Sequence, residues 1–283
     1  MVIFQTFLSV TSMVFQNCLF NNVCKKTLKT DRHIYKFNTI TYAVCIVLFG
    51  IAALNGNVSF FTVFLGLLFG IVTALSNFYK MCALTAGPMH ITLLVTTSSM
   101  IIPAMSGVFF GEGFSIFKLI LVVVLIAFIY LSFDKTNNGE TNKKWVMLCF
   151  FAFLFQGSIG VLQKIHQFSP HKEEVGGFLL VAFICSLIYS RIRAKNTFKE
   201  LGFEKKHIIL AVICGICIYI MNFLNLKLSG VLPSQLFFPL VNGSAIVLSS
   251  LMSVLIFKES LTKKQTTGLA GGILSLILMC FVP

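Results

Sequence analysis

The segment Asn222–Glu259, NFLNLKLSGVLPSQLFFPLVNGSAIVLSSLMSVLIFKE, is mostly apolar, yet polar groups recur along it at fixed intervals. Gln235, Asn242 and Ser249 follow one another at seven-residue steps, which is two turns of a helix. Residues at this spacing lie on one helix face. The segment therefore predicts an apolar helix that carries one polar stripe.

The polar stripe has a counterpart in the first half of the chain. Polar residues match across offsets between 140 and 145 residues. The matched pairs are Thr92 with Gln235, Ser99 with Asn242, Asn77 with Asn222, Lys80 with Asn225, and Gln16 with Gln156. The two halves therefore read as an internal repeat.

The composition predicts a membrane protein. Of the 283 residues, 57% are hydrophobic and 11% are charged, and the mean hydropathy is +0.92. A water-soluble chain cannot place so much apolar surface in contact with water. The net charge of +13 comes from Lys and Arg in the connections, where they report orientation rather than nucleic-acid binding. We therefore expect membrane lipid and no nucleic acid among its partners.

The reactive residue types show no catalytic or metal-binding pattern. Nine Cys are scattered through apolar segments, and Cys214 with Cys217 forms the one C-x-x-C. That pair lies in a hydrophobic run without a second ligand cluster, which favours buried hydrophobes over a metal or redox site. The spans contain neither paired carboxylates nor a Ser/His/Asp set. We expect no enzyme activity, no metal and no cofactor.

Apolar runs separated by breakers predict an all-α membrane protein with ten transmembrane helices, arranged as two inverted five-helix repeats. The predicted spans lie near 2–23, 36–54, 58–85, 88–111, 115–133, 145–165, 175–194, 207–228, 231–257 and 264–282. Met1–Phe20 lacks the basic start of a signal peptide and reads as part of the first span. The domains are then a first repeat at 1–134, a polar linker at 135–144 and a second, inverted repeat at 145–283.

Basic residues predict the orientation. Seventeen Lys and Arg lie in the connections after spans one, five, seven and nine, and four lie on the opposite side. Because short cytoplasmic loops carry the excess of basic residues, both termini are expected outside the cell. This points to a multi-pass protein of the plasma membrane.

Polar residues within the spans are the candidate substrate-binding groups. Buried amides are costly in lipid, so we expect them to face inward, either as a binding site or as hydrogen bonds between helices. Lys80 either faces a wet cavity or extends to the interface. The candidate set is Gln16, Asn77, Lys80, Thr96, Ser99, Gln156, Asn222, Asn225, Gln235 and Asn242. Spans one, three, four, six, eight and nine are expected to enclose this site, with spans five and ten outside it.

These features resemble the EamA-type transporters of the drug/metabolite transporter superfamily. The resemblance rests on ten spans in two inverted fives, Gly111–Glu112 echoed by Lys258–Glu259, and a last span rich in glycine. It implies a bundle that moves small metabolites through a central cavity by alternating access. The small multidrug exporters of the superfamily carry an essential Glu in the first span, where this chain has Gln16 and Asn17. Relatives with ten spans are usually drawn with cytoplasmic termini, the reverse of the orientation predicted here.

The expected function is secondary active or facilitative transport of a small polar neutral, zwitterionic or anionic metabolite, by a monomer or homodimer. The alternative is an exporter or flippase of amphipathic drugs or lipid-linked molecules, which the Phe-rich walls favour.

Overall fold

The computed structural model describes residues 1–26, 30–54, 56–111, 116–132, 143–194, 205–256 and 262–281. Within these ranges the chain forms α-helices, one short 3-10 helix and no strand, so the predicted all-α class is confirmed. The helices are α1 Val2–Lys26, α2 Asp31–Ala53, α3 Phe60–Ala86, α4 Met89–Ser98, α5 Ile101–Ser106, the 3-10 helix Gly107–Phe110, α6 Ile116–Ser132, α7 Lys143–Gln167, α8 Val175–Ala194, α9 Lys205–Val231, α10 Ser234–Leu255 and α11 Lys263–Phe281.

Among the described residues, seven helical segments are long and apolar enough to cross a membrane, as a multi-pass protein requires. They are α1, α2, α3, the run Met89–Phe110 that contains α4 and α5, α7, α8 and α9. The remaining helices α6, α10 and α11 lie at the predicted positions of spans five, nine and ten.

The run Met89–Phe110 is interrupted between Ser98 and Ile101, and Pro103 explains the interruption. Proline has no N–H, so the carbonyl of Ser99 cannot accept a bond from the residue four positions later. The amide of Ile102 binds that carbonyl instead, at 3.0 Å. Pro239, in contrast, lies inside the continuous helix α10. The run ends at Gly111, whose φ of 78° is the left-handed conformation that favours glycine.

Packing follows a pattern in which each half contacts the other. Helix α3 packs against α7 and α8, helix α9 packs against α1 and α2, and α2 packs against α8. Helices α6 and α11 pack mainly against each other. Large apolar side chains on α6 and α11, including Phe117 and Leu274, are exposed, as they are on a lipid-facing surface.

Two glycines allow the closest approach of the inner helices. A Cβ at Gly70 of α3 would overlap the carbonyl oxygen of Ala182 on α8. A Cβ at Gly215 of α9 would lie 2.8 Å from the carbonyl oxygen of Thr41 on α2. Both glycine carbonyls accept a side-chain hydrogen bond from the facing helix: Ser186 Oγ donates to Gly70 at 2.7 Å, and Cys45 Sγ donates to Gly215 at 3.3 Å. The two contacts have the same form.

Glu174, in the connection between α7 and α8, joins the two halves at the start of α3. Its carboxylate accepts hydrogen bonds from the Ser59 amide and the Ser59 hydroxyl, each at 2.8 Å, and lies 3.1 Å from His171 Nδ1. Burial acts to raise the pKa of Glu174, but the hydrogen bonds from Ser59, Thr62 and His171 outweigh it and lower that pKa to about 2. The carboxylate is therefore ionised at neutral pH and fixes this junction.

Candidate substrate-binding cavity

A cavity lies between helices α1, α3, α7, α9 and α10 and the break between α4 and α5, with about 60 Å³ open to water-sized molecules. The helices that line it correspond to predicted spans one, three, four, six, eight and nine, as the sequence analysis expected. The lining residues are Met13, Gln16, Thr73, Asn77, Lys80, Ser99, Met100, Pro103, Gln156, Ile159, Gly160, Gln163, Ile218, Met221, Asn222, Asn225, Phe237, Phe238 and Asn242.

Lys80 places an ammonium group at this cavity rather than at the membrane interface. Its side chain is 5% exposed, and Nζ donates to Asn17 Oδ1 at 2.6 Å and lies 5.7 Å from the centre of the Phe20 ring. By contrast, Lys227 near the other end of the bundle is exposed, with its Nζ over the ring of Phe223. The sequence left two directions open for the Lys80 side chain, toward a cavity or toward the interface, and in the structure it faces the cavity.

Asn17 holds Lys80 and is the main residue that sequence reasoning did not include. Its Oδ1 accepts from Lys80, and its Nδ2 donates to Ser249 Oγ at 3.1 Å. This buried chain of hydrogen bonds connects α3, α1 and α10. Asn17 is 1% exposed, so the chain is shielded from solvent. The signal in the sequence was an Asn next to Gln16, but its spacing gave no partner.

The four asparagines of α3, α9 and α10 present different atoms to the cavity. Asn222 Nδ2 donates to the backbone carbonyl of Ile218, and Asn242 Nδ2 donates to that of Phe238, both at 2.9 Å. Asn77 Nδ2 donates to Tyr42 Oη at 2.9 Å. Asn225 Oδ1 accepts from Ser9 Oγ at 2.5 Å. Three of these amides therefore have Oδ1 and one N–H left for a ligand, and Asn225 has both donors of its N–H₂ group left.

The glutamines add further polar surface. Gln156 Oε1 accepts from Ser76 Oγ at 2.9 Å, which leaves its N–H₂ group for the cavity. Gln16 and Ser99 also line the cavity. Thr73 and Gln163 line it although the sequence analysis did not name them. Both lie seven residues, or two helical turns, from a predicted site residue, Lys80 or Gln156, and extending the stripes by that step would have found them.

Thr96 and Gln235 do not line the cavity, although they were candidates. The Thr96 hydroxyl donates to the carbonyl of Thr92 at 2.8 Å and is buried within its own helix. Gln235 lies in the first turn of α10, two turns before Asn242, so the stripe extends past the cavity. The structure therefore brings eight of the ten candidate residues to one cavity.

Metal ligands do not cluster in the part of the chain that is described. No group of three or more His, Cys, Asp or Glu side chains there is placed to hold an ion. Cys214 is buried in α9, where its side chain packs in the hydrophobic core as a free thiol. The polar groups at the cavity are suited to bind an organic ligand by hydrogen bonds and one positive charge.

Comparison with protein-family models and with curated protein sequences gives no match. A crystal structure described only as that of a protein aligns with 98% of this chain and 97% of its own length, with a TM-score of 0.63 and 16% sequence identity. This similarity shows that the fold also occurs in a crystallised protein. At 16% identity it is evidence for the fold and for nothing more.

Proposed function

We propose that this protein is a secondary active or facilitative transporter of a small polar metabolite, which it binds in the central cavity and moves by alternating access. The observation that carries the proposal is the buried ammonium of Lys80 at a cavity lined by amides. Ionisable groups inside a membrane are costly and mark the paths of substrates and ions. A cavity between helices of the two halves is where transporters with repeated halves bind their substrates.

Ten transmembrane helices in two inverted five-helix repeats are part of this proposal. The equivalent contacts at Gly70 and Gly215, which are 145 residues apart, support the repeat. The packing of α3 on α7 and of α9 on α1 relates the halves in the same way. Because each half has an odd number of spans, the second half enters the membrane in the opposite direction.

The similarity to EamA-type transporters of the drug/metabolite superfamily belongs to the proposal too. It rests on the repeat and on the residues quoted from the sequence. We place the protein in the plasma membrane, with both termini outside and the linker at 135–144 in the cytoplasm, because seventeen basic residues lie on the linker side and four lie opposite.

The small size of the cavity supports a transport cycle in which the surrounding helices move. About 60 Å³ holds a few water molecules, so a metabolite needs the surrounding helices to separate. The helix break at Pro103 lies on the cavity wall and leaves a region where the helix can bend.

Replacement of Lys80 by Met tests the proposal. Purified K80M protein in lipid vesicles should lose uptake of the transported compounds by at least an order of magnitude, because the one charge at the cavity is gone, while it remains folded. The matched control is K227M, which removes an exposed lysine from α9 and should transport like the wild type. A stable K80M protein with full uptake would refute the role of Lys80, and wild-type vesicles that take up no compound from a broad metabolite panel would refute transport.

A further inference from the structure

The charge of the cavity is unbalanced. Lys80 is the one charged side chain among the described residues that line it, and the lining includes no carboxylate. An ammonium has three N–H donors, and Asn17 Oδ1 accepts one of them. A charge without a counter-charge is costly in a dry interior. A ligand of net charge −1 makes the occupied cavity neutral, whereas a neutral or zwitterionic ligand leaves one positive charge.

Two amides in the second half of the chain, Asn222 and Asn242, each present a hydrogen-bond acceptor to the same cavity. Asn222 and Asn242 each donate their amide N–H to a backbone carbonyl, and a carbonyl can only accept. These bonds fix the orientation of both amides, use one of the two N–H donors of each, and leave Oδ1 and one N–H of each for a ligand. Neither oxygen has a partner within the described part of the chain. A ligand without donors would leave both of them unpaired, which is unfavourable in a buried site.

A hydroxyl fits these oxygens better than an ammonium does. A ligand that carried an ammonium as well as an anionic group would have no net charge, so the occupied cavity would keep the positive charge of Lys80. The facing groups of Asn222 and Asn242 are neutral amides, so they offer an ammonium no counter-charge. A hydroxyl donates a hydrogen bond and adds no charge.

The remaining walls favour a small ligand. Met13, Met221, Phe237 and Phe238 supply apolar surface, and the cavity has about 60 Å³ open to water-sized molecules. A ligand of few heavy atoms needs a smaller separation of the helices than a sugar or a nucleotide does.

We propose that the substrates are small hydroxymonocarboxylates, with the carboxylate bound at Lys80 and the hydroxyl bound at Asn222 and Asn242. The inference rests on the proposed transport function and specifies its substrate class. It places the anionic part of the ligand on the first half of the chain and its hydrogen-bond donor on the second half.

Three acids that differ in one substituent test the substrate class. Lactate carries a hydroxyl at C2, alanine an ammonium and propionate a hydrogen. Titration calorimetry of the purified protein should show lactate binding at least tenfold more tightly than propionate, which lacks the donor, and than alanine, which lacks the net charge. Vesicles that contain the protein should take up labelled lactate faster than empty vesicles do.

Two variants assign the two ends of the ligand. N222L combined with N242L should reduce lactate affinity to that of propionate while propionate affinity stays unchanged, and thermal melting checks that the variant is folded. K80Q should reduce the affinity of both acids. Transport and binding of alanine in preference to lactate would overturn the substrate class and leave the transport function standing. If no compound of a broad panel binds or moves, the transport function fails with it.

Discussion

Asn17 is the residue that determines what charge the Lys80 ammonium presents to a ligand. Its oxygen lies 2.6 Å from Nζ and takes one donor, but it brings no negative charge. The two remaining N–H groups and the full charge stay available at the cavity. A carboxylate at position 17 would occupy the ammonium from within the protein.

We expect N17D and N17L to separate stability from transport. The N17D carboxylate forms an internal ion pair with Lys80 and competes with an anionic substrate, so uptake should fall at least tenfold while the melting temperature stays equal or rises. N17L removes the acceptor and should lower the free energy of unfolding by about 1–3 kcal/mol, because a buried donor is left unpaired. Thermal melting and vesicle uptake measure the two effects. An N17D protein that takes up substrate at the wild-type rate would contradict this role.

Much of the site could be predicted from residue spacing alone. Gln16, Asn77, Asn222 and Asn242 lie on polar stripes, and a stripe on a membrane helix faces inward wherever the helix packs. Asn17 could not be assigned, because its partner Lys80 is 63 residues away and no periodicity relates them. Lys80 itself had two possible directions, and the choice depended on the packing of α1 against α3.

At the scale of helices, the close contacts of α3 with α8 and of α9 with α2 depend on glycine. These contacts let each backbone carbonyl reach a hydroxyl or thiol of the neighbouring helix. Gly70 and Gly215 are 145 residues apart, the offset that also matches Asn77 with Asn222, but the sequence does not show which helix approaches each glycine. The approximate bounds of the helices could be predicted from hydropathy. The break near Ser99 could not, because proline breaks the helix at Pro103 but not at Pro239.

We expect G70A to destabilise the protein and G50A to leave it intact or stabilise it. A Cβ at Gly70 overlaps backbone atoms of Ala182 that cannot move aside, and overpacking of this kind costs about 1–3 kcal/mol. A Cβ at Gly50 of α2 meets no atom within 4 Å, so G50A gains about 0.5–1 kcal/mol of helix propensity. Thermal unfolding in detergent compares the two variants with the wild type. Equal melting temperatures for G70A and G50A would show that the α3–α8 contact is not tight.

At the scale of the whole molecule, the connection that holds Glu174 makes stability depend on pH. The pKa of Glu174 is lowered to about 2, so its contribution to stability is present above the ordinary carboxyl pKa of 4.5 and is lost as the pH falls through about 2. We expect E174Q to melt at a lower temperature than the wild type at pH 7, with a difference that shrinks between pH 4.5 and pH 2. The exposed neighbour gives the control E173Q, which should match the wild type. A difference that is constant with pH would count against the ionised junction.

The orientation of the molecule can be measured with fusions. Alkaline phosphatase attached after Pro283 should be active, because that enzyme matures only outside the cytoplasm, and the same fusion at Asn138 should be inactive. The expectation follows from the basic residues on the linker side. Activity at Asn138 together with inactivity at Pro283 would reverse the assignment.

Apolar length predicted the all-helical class, because each span must satisfy its backbone hydrogen bonds internally in lipid. It did not predict which helices of the two halves pair. Pairing depends on the fit of small residues such as Gly70 against a particular neighbour, and that fit arises only when both helices are placed. Residues 135–142 of the predicted linker at 135–144 lie outside the described residues, and Lys143 and Lys144 form the start of α7.

In the proposed transport cycle, the buried ammonium of Lys80 makes the membrane potential act differently on the loaded and the empty protein. With an anion bound, the proposed cavity is neutral and the field exerts little net force on it. Once the anion leaves, one positive charge stays, and carrying it through a potential of 100 mV corresponds to about 2.3 kcal/mol. A negative interior then draws the empty site toward the cytoplasm. Transport by vesicles with an imposed potassium diffusion potential can measure this effect. A polarised membrane would therefore drive export of the anion without a coupling ion.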